Sequence, residues 1–212
     1  MPFQTDLVVL TADKNGEMAM RGILERAASL GMRPVTADYY VHPKHDPGCL
    51  GTAAQLVRPF LATHARALVL FDREGCGREM RDRSDLERQV EGALAQNGWR
   101  DRCAAIVVDP ELDAWMWSDS PHVDGVLGWS CQTPRLHAWL AQQGFLKEGQ
   151  VKPPRPKEAL QEALRHVYLP RSSSLYREMA QKVSLRRCID PAFQKLRETL
   201  AAWFPAQDDS AG

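Results

Sequence analysis

The chain has 212 residues, of which 44% are hydrophobic and 25% are charged, a composition that predicts a globular protein and excludes disordered and fibrous classes. Its 27 basic residues balance its 27 acidic ones, so it is not expected to coat nucleic acid through net charge alone. No apolar run approaches the roughly 20 residues of a membrane-spanning helix, and the five cysteines lack close pairing, so we expect a cytoplasmic protein with no membrane partner and no disulfide framework.

Four short runs of aliphatic and β-branched residues predict the strands of a buried sheet. These runs are residues 6–11, 33–41, 67–72 and 104–109. Segments with apolar residues at helical spacing separate them, at residues 17–31, 52–64 and 84–97. Because strands alternate with helices along the chain, we predict an α/β fold with a mostly parallel sheet of about four strands flanked by helices.

Local signals indicate where several helices begin or end. Gly31 is placed to end the first helix, and Ser84 with Glu87 has the spacing of a capping box at the start of the third. Asp109 followed by Pro110 predicts a helix that opens directly after the fourth strand, with the aspartate as its cap.

The last quarter of the chain reads as helices only. A connector rich in proline and lysine comes first, and Asp190 with Pro191 repeats the cap-and-proline pattern before the final helix. Residues 151–200 hold 11 basic and 5 acidic residues, an excess that the rest of the chain does not share. The predicted organisation is an α/β domain over residues 1–148, a helical C-terminal extension packed on it over 149–206, and a disordered tail over 207–212.

Acidic residues follow three of the predicted strands, at the point where sites form in open α/β sheets. Asp13 and Glu17 come after the first strand, and Asp72 and Glu74 after the third. The fourth strand leads into Asp109, Glu111 and Asp113. Carboxylate oxygens are the ligands that Mg²⁺ and Mn²⁺ prefer, and such an ion can polarise a phosphoryl oxygen and activate water.

Several of these acids also have a structural explanation. Asp109 could serve only as a helix cap, and Glu17 could complement a helix N-terminus. Asp72 and Glu74 could belong to a polar loop that pairs with nearby arginines. The hypothesis of a shared metal site therefore depends on the acids meeting at one edge of the sheet.

Three motifs resemble those of the Toprim-like domain, as found in the OLD-family nucleases and in small stand-alone Toprim-like proteins of bacterial anti-phage islands. Asp13-Lys-Asn-Gly-Glu17 keeps the spacing of the family's first acidic motif, and Asp72-Arg-Glu74 that of its Asp-x-Asp motif. Pro110-Glu111-Leu112-Asp113-Ala-Trp115 is similar to the segment that follows a later strand. The resemblance covers about residues 5–118 and extends only loosely to the helical end.

The resemblance implies a divalent-metal-dependent phosphodiesterase or nuclease. Asp13 and Glu17 would be the catalytic residues, as base or ligand, and Mg²⁺ or Mn²⁺ would be held by Asp72, Glu74, Glu111 and Asp109. DNA or RNA would be the substrate, and other proteins of a multi-component prokaryotic defence system would be the partners. A small-molecule phosphohydrolase is a weaker alternative.

Three positions depart from the family pattern, and one of them is Lys14, which stands where the family has glycine. Asp13 stands where the family has glutamate, so its arm is one methylene shorter, and Glu74 stands where the family has a second aspartate, so its arm is longer. Metal geometry is sensitive to such changes. The alternative is therefore a catalytically inactive scaffold or regulatory subunit that binds a partner protein or nucleic acid.

Basic and aromatic residues suggest how nucleic acid could bind. Arg73, Arg78 and Lys14 are the predicted phosphate-binding residues, and pairing of the arginines with nearby acids is the alternative. Trp115, Trp117 and Trp139 have the pattern of core residues and could stack on bases only if exposed. His42, His45 and Cys49 could suggest zinc, but no second close pair completes a tetrahedral set.

Overall fold

The computed structural model describes residues 3–118, 120–147, 149–150, 152–183, 185 and 188–206. Its strands are β1 (Thr5–Thr11), β2 (Ala37–Val41), β3 (His64–Asp72) and β4 (Cys103–Val108). All neighbouring strands pair in parallel, in the order β2-β1-β3-β4. The predicted α/β fold with a parallel sheet of about four strands is confirmed. The predicted tail at 207–212 lies outside the described residues.

Eight α-helices accompany the sheet in the described part of the chain. They are α1 (Lys14–Leu24), α2 (His45–Val57), α3 (Arg83–Leu94), α4 (His122–Val126), α5 (Leu136–Gln142), α6 (Pro156–His166), α7 (Ser173–Lys182) and α8 (Pro191–Trp203). None of these helices is long and apolar enough to cross a membrane. The short helix α4 was not predicted from the sequence.

Both faces of the sheet are covered, which explains the continuous apolar runs of its strands. Alternate strand residues such as Leu7 and Ile106 pack against α1 and α8 on one face. Their neighbours, such as Val8 and Val107, pack against α2 and α3 on the other. A third apolar cluster joins α4, α5, α6 and α7 around Trp129. Because α8 covers one face of the sheet, the C-terminal helices share the main core with the α/β part.

Two predicted helix boundaries were wrong. Helix α2 begins at His45 and ends at Val57, several residues before the prediction, because Pro47 falls in its first turn, where proline is tolerated. Pro59 follows in a short 3₁₀ turn. The helix predicted to open at Asp109 is a 3₁₀ helix, Leu112–Met116, with Glu111 at its cap position.

A third predicted boundary, the end of the first helix at Gly31, was also wrong, because α1 ends at Leu24, whereas the predicted cap of α8 agrees with the structure. Gly31 adopts a left-handed conformation, with φ of 73°, at the end of a 3₁₀ turn that follows α1. The Asp190 side chain accepts hydrogen bonds from the backbone N–H groups of Ala192 and Phe193, at 3.0 and 3.3 Å, and so caps α8. These caps need only residues that are close in sequence, so the sequence contains the whole signal.

The outer edge of β4 is closed by carboxylates from α3. Glu87 Oε1 accepts from the backbone N–H of Val107 at 3.1 Å, and Glu91 Oε1 from that of Ala105 at 3.0 Å. Lys195 of α8 contacts both carboxylates, with Nζ–O distances of 3.1 and 2.7 Å. Glu87 therefore does not form the capping box predicted with Ser84, because it is bonded to the sheet instead.

Packing of α7 on α1 depends on Gly22. A Cβ atom added at this glycine would lie 2.6 Å from the carbonyl oxygen of Arg177 and 2.8 Å from Cβ of Ala180. We expect Gly22→Ala to lower the free energy of unfolding by about 1–3 kcal/mol, because the two helices would have to separate. Urea unfolding followed by circular dichroism measures this change.

Gly51→Ala in α2 is the matched control, since no described atom lies within 4 Å of its added Cβ. That variant should be stabilised by about 0.5–1 kcal/mol through the backbone alone. Equal unfolding midpoints for the two variants would show that α1 and α7 do not pack as closely as described.

Candidate functional site

Carboxylates that follow all four strands line one cleft, at the edge of the sheet where the carboxyl ends of the strands meet. The cleft has a volume of about 330 Å³. Its acidic residues are Asp13 after β1, Asp46 after β2, Asp72 and Glu74 at the end of β3, and Glu111 and Asp113 after β4. Two cations from the C-terminal helical part, Lys157 and Arg171, complete the lining.

Asp72, at the end of β3, forms hydrogen bonds with two other segments that line the cleft. Its Oδ1 accepts a hydrogen bond from the backbone N–H of Leu112 at 2.9 Å, and its own backbone N–H donates to Oδ1 of Asp46 at 2.8 Å. Burial, together with the nearby carboxylates of Asp46 and Asp13, raises the pKa of Asp72 well above its usual range. Burial and the charge of Asp13 also raise the pKa of Asp46, against the hydrogen bond from Asp72. Negative charge is therefore disfavoured here.

Asp13 enters the cleft from the start of α1, which it caps. Its Oδ1 accepts from the backbone N–H of Gly16 at 2.8 Å. Thr11 donates its hydroxyl to the carbonyl oxygen of Asp13 at 2.9 Å, which fixes the backbone between strand and helix. Asp13 therefore has two positions of contact: one oxygen of its carboxylate caps α1, and the side chain also lines the cleft.

Glu111 and Asp113 are buried and face cations of the helical part. Glu111 accepts from the backbone N–H of Lys157 at 3.2 Å and lies 3.4 Å from its Nζ. Burial and the charge of Asp113 raise the pKa of Glu111, while Lys157 opposes the shift. Asp113 accepts from Arg171 Nη2 at 2.8 and 2.9 Å and from the Tyr176 hydroxyl at 2.9 Å. Asp113 is thus well paired, whereas Glu111 is only partly so.

Two acids of the predicted site lie elsewhere. Glu17 accepts from Lys14 Nζ and from Arg21 Nε, each at 2.8 Å. Burial would raise the pKa of Glu17, but these two cations hold it below its usual value. Asp109 pairs with Nε of Arg73 at 2.9 Å. The structure therefore brings Asp13, Asp72, Glu74 and Glu111 together, and it places Glu17 and Asp109 in ion pairs outside the cleft lining.

The predicted phosphate-binding residues do not line the cleft either. Lys14 is bonded to Glu17, and Arg73 bonds to Asp109 and to the carbonyl oxygen of Glu79 at 2.9 Å. Arg78 is exposed in the loop after β3. Arg73 is therefore paired with an acid, as the alternative for the arginines had it, but its partner is Asp109 and not an acid of its own loop.

Sequence reasoning missed Asp46, and it named Lys157 and Arg171 only among basic residues that could follow a nucleic-acid backbone, not as residues of the acidic site. Asp46 follows a predicted strand as the other acids do, so the same rule could have found it once α2 was started at the right residue. The two cations come from the basic part of the chain, and their partners are 46 and 58 residues away. Only the net positive charge of that part pointed to them.

The donor set of the cleft fits a hard divalent cation. All its acidic ligands are carboxylates, and burial together with repulsion from neighbouring acids raises the pKa values of Asp46, Asp72 and Glu111, an effect that such an ion would oppose. Among the described residues, no three His, Cys, Asp or Glu side chains form a ready-made metal-binding group, so binding requires the carboxylates to move together.

The zinc alternative finds no support in the described residues. His42 bonds through Nε2 to the Thr52 hydroxyl and through Nδ1 to the backbone N–H of Lys44, both at 3.0 Å. Cys49 is fully buried in the core, where burial raises the pKa of its thiol. Both side chains therefore have structural roles.

Comparison with known proteins gives no assignment. No family model matches the chain, and no curated protein or solved structure is significantly similar to it. The fold and the geometry of the cleft therefore carry the functional argument.

The raised pKa of Asp72 makes the stability of the protein depend on pH. Because the folded protein holds this proton more tightly than the unfolded chain, stability in EDTA falls as pH rises from the unfolded pKa through the folded one. Asp72→Asn removes the buried charge and keeps an oxygen for the Leu112 N–H. We therefore expect this variant to be more stable than the wild type at pH 7, by more than ~1 kcal/mol, and equally stable near pH ~3.

Thermal unfolding in EDTA across this pH range measures the effect. Asp101→Asn is the control, because Asp101 is exposed and should change stability little at any pH. A destabilised Asp72→Asn protein at pH 7 would contradict the description of Asp72 as a repelled carboxylate.

Proposed function

We propose that the protein is a divalent-metal-dependent phosphodiesterase or nuclease of Toprim type. The observation that carries the proposal is the meeting of six carboxylates from the ends of all four strands in one cleft, with Lys157 and Arg171 at its side. Six carboxylates against two cations would repel a phosphodiester when ionised, unless divalent cations were bound, so the cleft suits a metal-dependent reaction.

The residues divide into three roles in this proposal. Asp72, Glu74 and Glu111 would hold Mg²⁺ or Mn²⁺, and Asp46 would keep Asp72 in place through the bond to its backbone N–H. Asp13 would accept the proton of the attacking water. When bound, the metal ion would polarise the phosphoryl oxygen and favour attack by water.

Lys157 and Arg171 would contact the phosphate. Each is already held by a buried acid, Glu111 or Asp113, so little side-chain freedom would be lost when the phosphate binds. Their positive charge balances part of the acidic lining without occupying the carboxylates of Asp13, Asp72 and Glu74.

The resemblance to the Toprim-like domain supports the same reaction class and adds a biological setting. Five acids of its matching motifs line the cleft, namely Asp13, Asp72, Glu74, Glu111 and Asp113. By that resemblance the protein would act on DNA or RNA within a multi-component anti-phage system. This setting is an analogy at the level of fold and motif.

Titration with Mn²⁺ by calorimetry tests the proposal. Wild-type protein should bind Mn²⁺ saturably, and Asp72→Asn should weaken binding at least about tenfold, since it removes a charged ligand. Asp109→Asn is the matched control, because Asp109 pairs with Arg73 outside the cleft lining and its loss should leave the affinity unchanged. Hydrolysis of bis(p-nitrophenyl) phosphate should require Mn²⁺ or Mg²⁺ and be lost in Asp72→Asn.

A wild-type protein that binds no divalent cation, or hydrolysis that continues in Asp72→Asn, would refute the assignment. Equal loss of Mn²⁺ binding in Asp72→Asn and Asp109→Asn would place the ion elsewhere, nearer β4.

A second candidate function is an inactive scaffold, and one observation favours it. Arg171 makes two hydrogen bonds to Asp113 and Lys157 contacts Glu111, so the protein itself neutralises part of its acidic cleft. A scaffold would bind no Mn²⁺ at millimolar concentration and would hydrolyse no phosphodiester, yet it would still have the Asp72-dependent change of stability with pH.

A further inference from the structure

Tyr168 is a large aromatic side chain that the fold leaves in solvent. It follows α6 directly and is 95% exposed. Its backbone is left-handed, with φ of 56°, and the backbone N–H of Leu169 donates to the carbonyl oxygen of Leu164 at 3.0 Å. This bond closes α6 with a C-terminal motif whose left-handed position is occupied by glycine in most proteins.

Neither folding nor solubility explains a tyrosine at this position. Glycine would adopt the left-handed conformation without strain, and a polar side chain would suit the exposed site better. An exposed ring in a disfavoured backbone conformation is the pattern of a residue retained for binding.

The neighbours of Tyr168 are cationic. The segment from Arg165 to Arg171 contains two arginines and one histidine and no acidic residue. Arg165 is itself largely exposed and pairs with Glu162 only at the surface. Val167 and Leu169 are half-buried, so the ring is not the centre of an exposed apolar patch. Arg165 and Arg171 are paired with Glu162 and Asp113, yet the segment itself contains only basic charges, and an exposed ring in a basic segment suits stacking on a nucleic-acid base.

Tyr168 lies near the acidic cleft. Arg171, which lines the cleft, is three residues further along the chain, and three residues span at most about 11 Å. Successive nucleotides rise about 3.4 Å along a stacked strand. The two side chains add to this backbone distance, so a base on Tyr168 would belong to a nucleotide several positions from a phosphate in the cleft.

The tryptophans that could have stacked on bases do not compete for this role. Trp117 and Trp139 are buried, and Trp115 packs against Phe193 with ring centroids 5.3 Å apart. Tyr168 combines an exposed ring with a cationic setting beside the cleft.

We propose that Tyr168 is a stacking platform for an unpaired base, and that the substrate is single-stranded nucleic acid. The base must be unpaired because a ring stacks only on a base whose face is free. The position of the neighbouring phosphate rests on the proposed function, whereas the stacking itself does not.

Binding of two labelled oligonucleotides of equal length, oligodeoxythymidylate and an abasic strand, tests the platform by fluorescence anisotropy. Both carry the same phosphates, so their ratio of affinities isolates the base. In Ca²⁺, which carboxylates bind, we expect Tyr168→Ala to lower this ratio about tenfold and Tyr168→Phe and Tyr168→Trp to preserve it. Tyr168→Gly should lower it as much as Tyr168→Ala while being at least as stable in urea, which separates stacking from folding.

A Tyr168→Ala protein with the wild-type ratio, a wild type that binds both strands equally, or one that binds neither would overturn the proposal. In those cases the exposed ring would instead serve a protein partner. The proposed function has a separate test, because bis(p-nitrophenyl) phosphate is a substrate without a base. Wild-type protein that does not hydrolyse it with Mn²⁺ would refute the proposed reaction. The stacking role of Tyr168 would still be decided by the ratio of the two binding affinities.

Discussion

Burial of Asp72 among other carboxylates, which repel its charge, is the constraint on which the candidate site depends. A parallel sheet directs all its strands to the same edge, and β3 lies between β1 and β4, so the acid at its end meets charges from both sides. Hydrogen bonds with Leu112 and Asp46 hold Asp72 there, but they do not neutralise it. The folded protein therefore holds a proton on Asp72 more tightly than the unfolded chain does.

The fold was largely predictable because its signals are local. Strands buried on both faces appear as uninterrupted apolar runs, and the alternation with helices then leaves few topologies. The acids that end β1, β3 and β4 were found by the same logic, since position after a strand is enough to place Asp13, Asp72 and Glu111 at one edge. Roles within the cleft are chemical hypotheses that position alone does not decide.

What could not be predicted depends on distant partners or on competition between neighbours. Arg171 reaches Asp113 across 58 residues, and no sequence pattern marks such a pair. Glu17 and Asp109 sit at positions suited to the site, but Lys14, Arg21 and Arg73 lie close enough to bind them first. Asp46 was hidden because the start of α2 was placed too late.

Because Glu87 and Glu91 bind the backbone of β4, the two edges of the sheet differ in their ability to pair with a further strand. A strand offered by another molecule finds the backbone N–H groups of Ala105 and Val107 already occupied, and displacing the glutamates would also break their contacts with Lys195. At the opposite end β2 has no strand beyond it among the described residues, and Val41 is exposed there. Strand exchange, cross-chain pairing or early aggregation is therefore confined to one side of the molecule, away from α3 and α8.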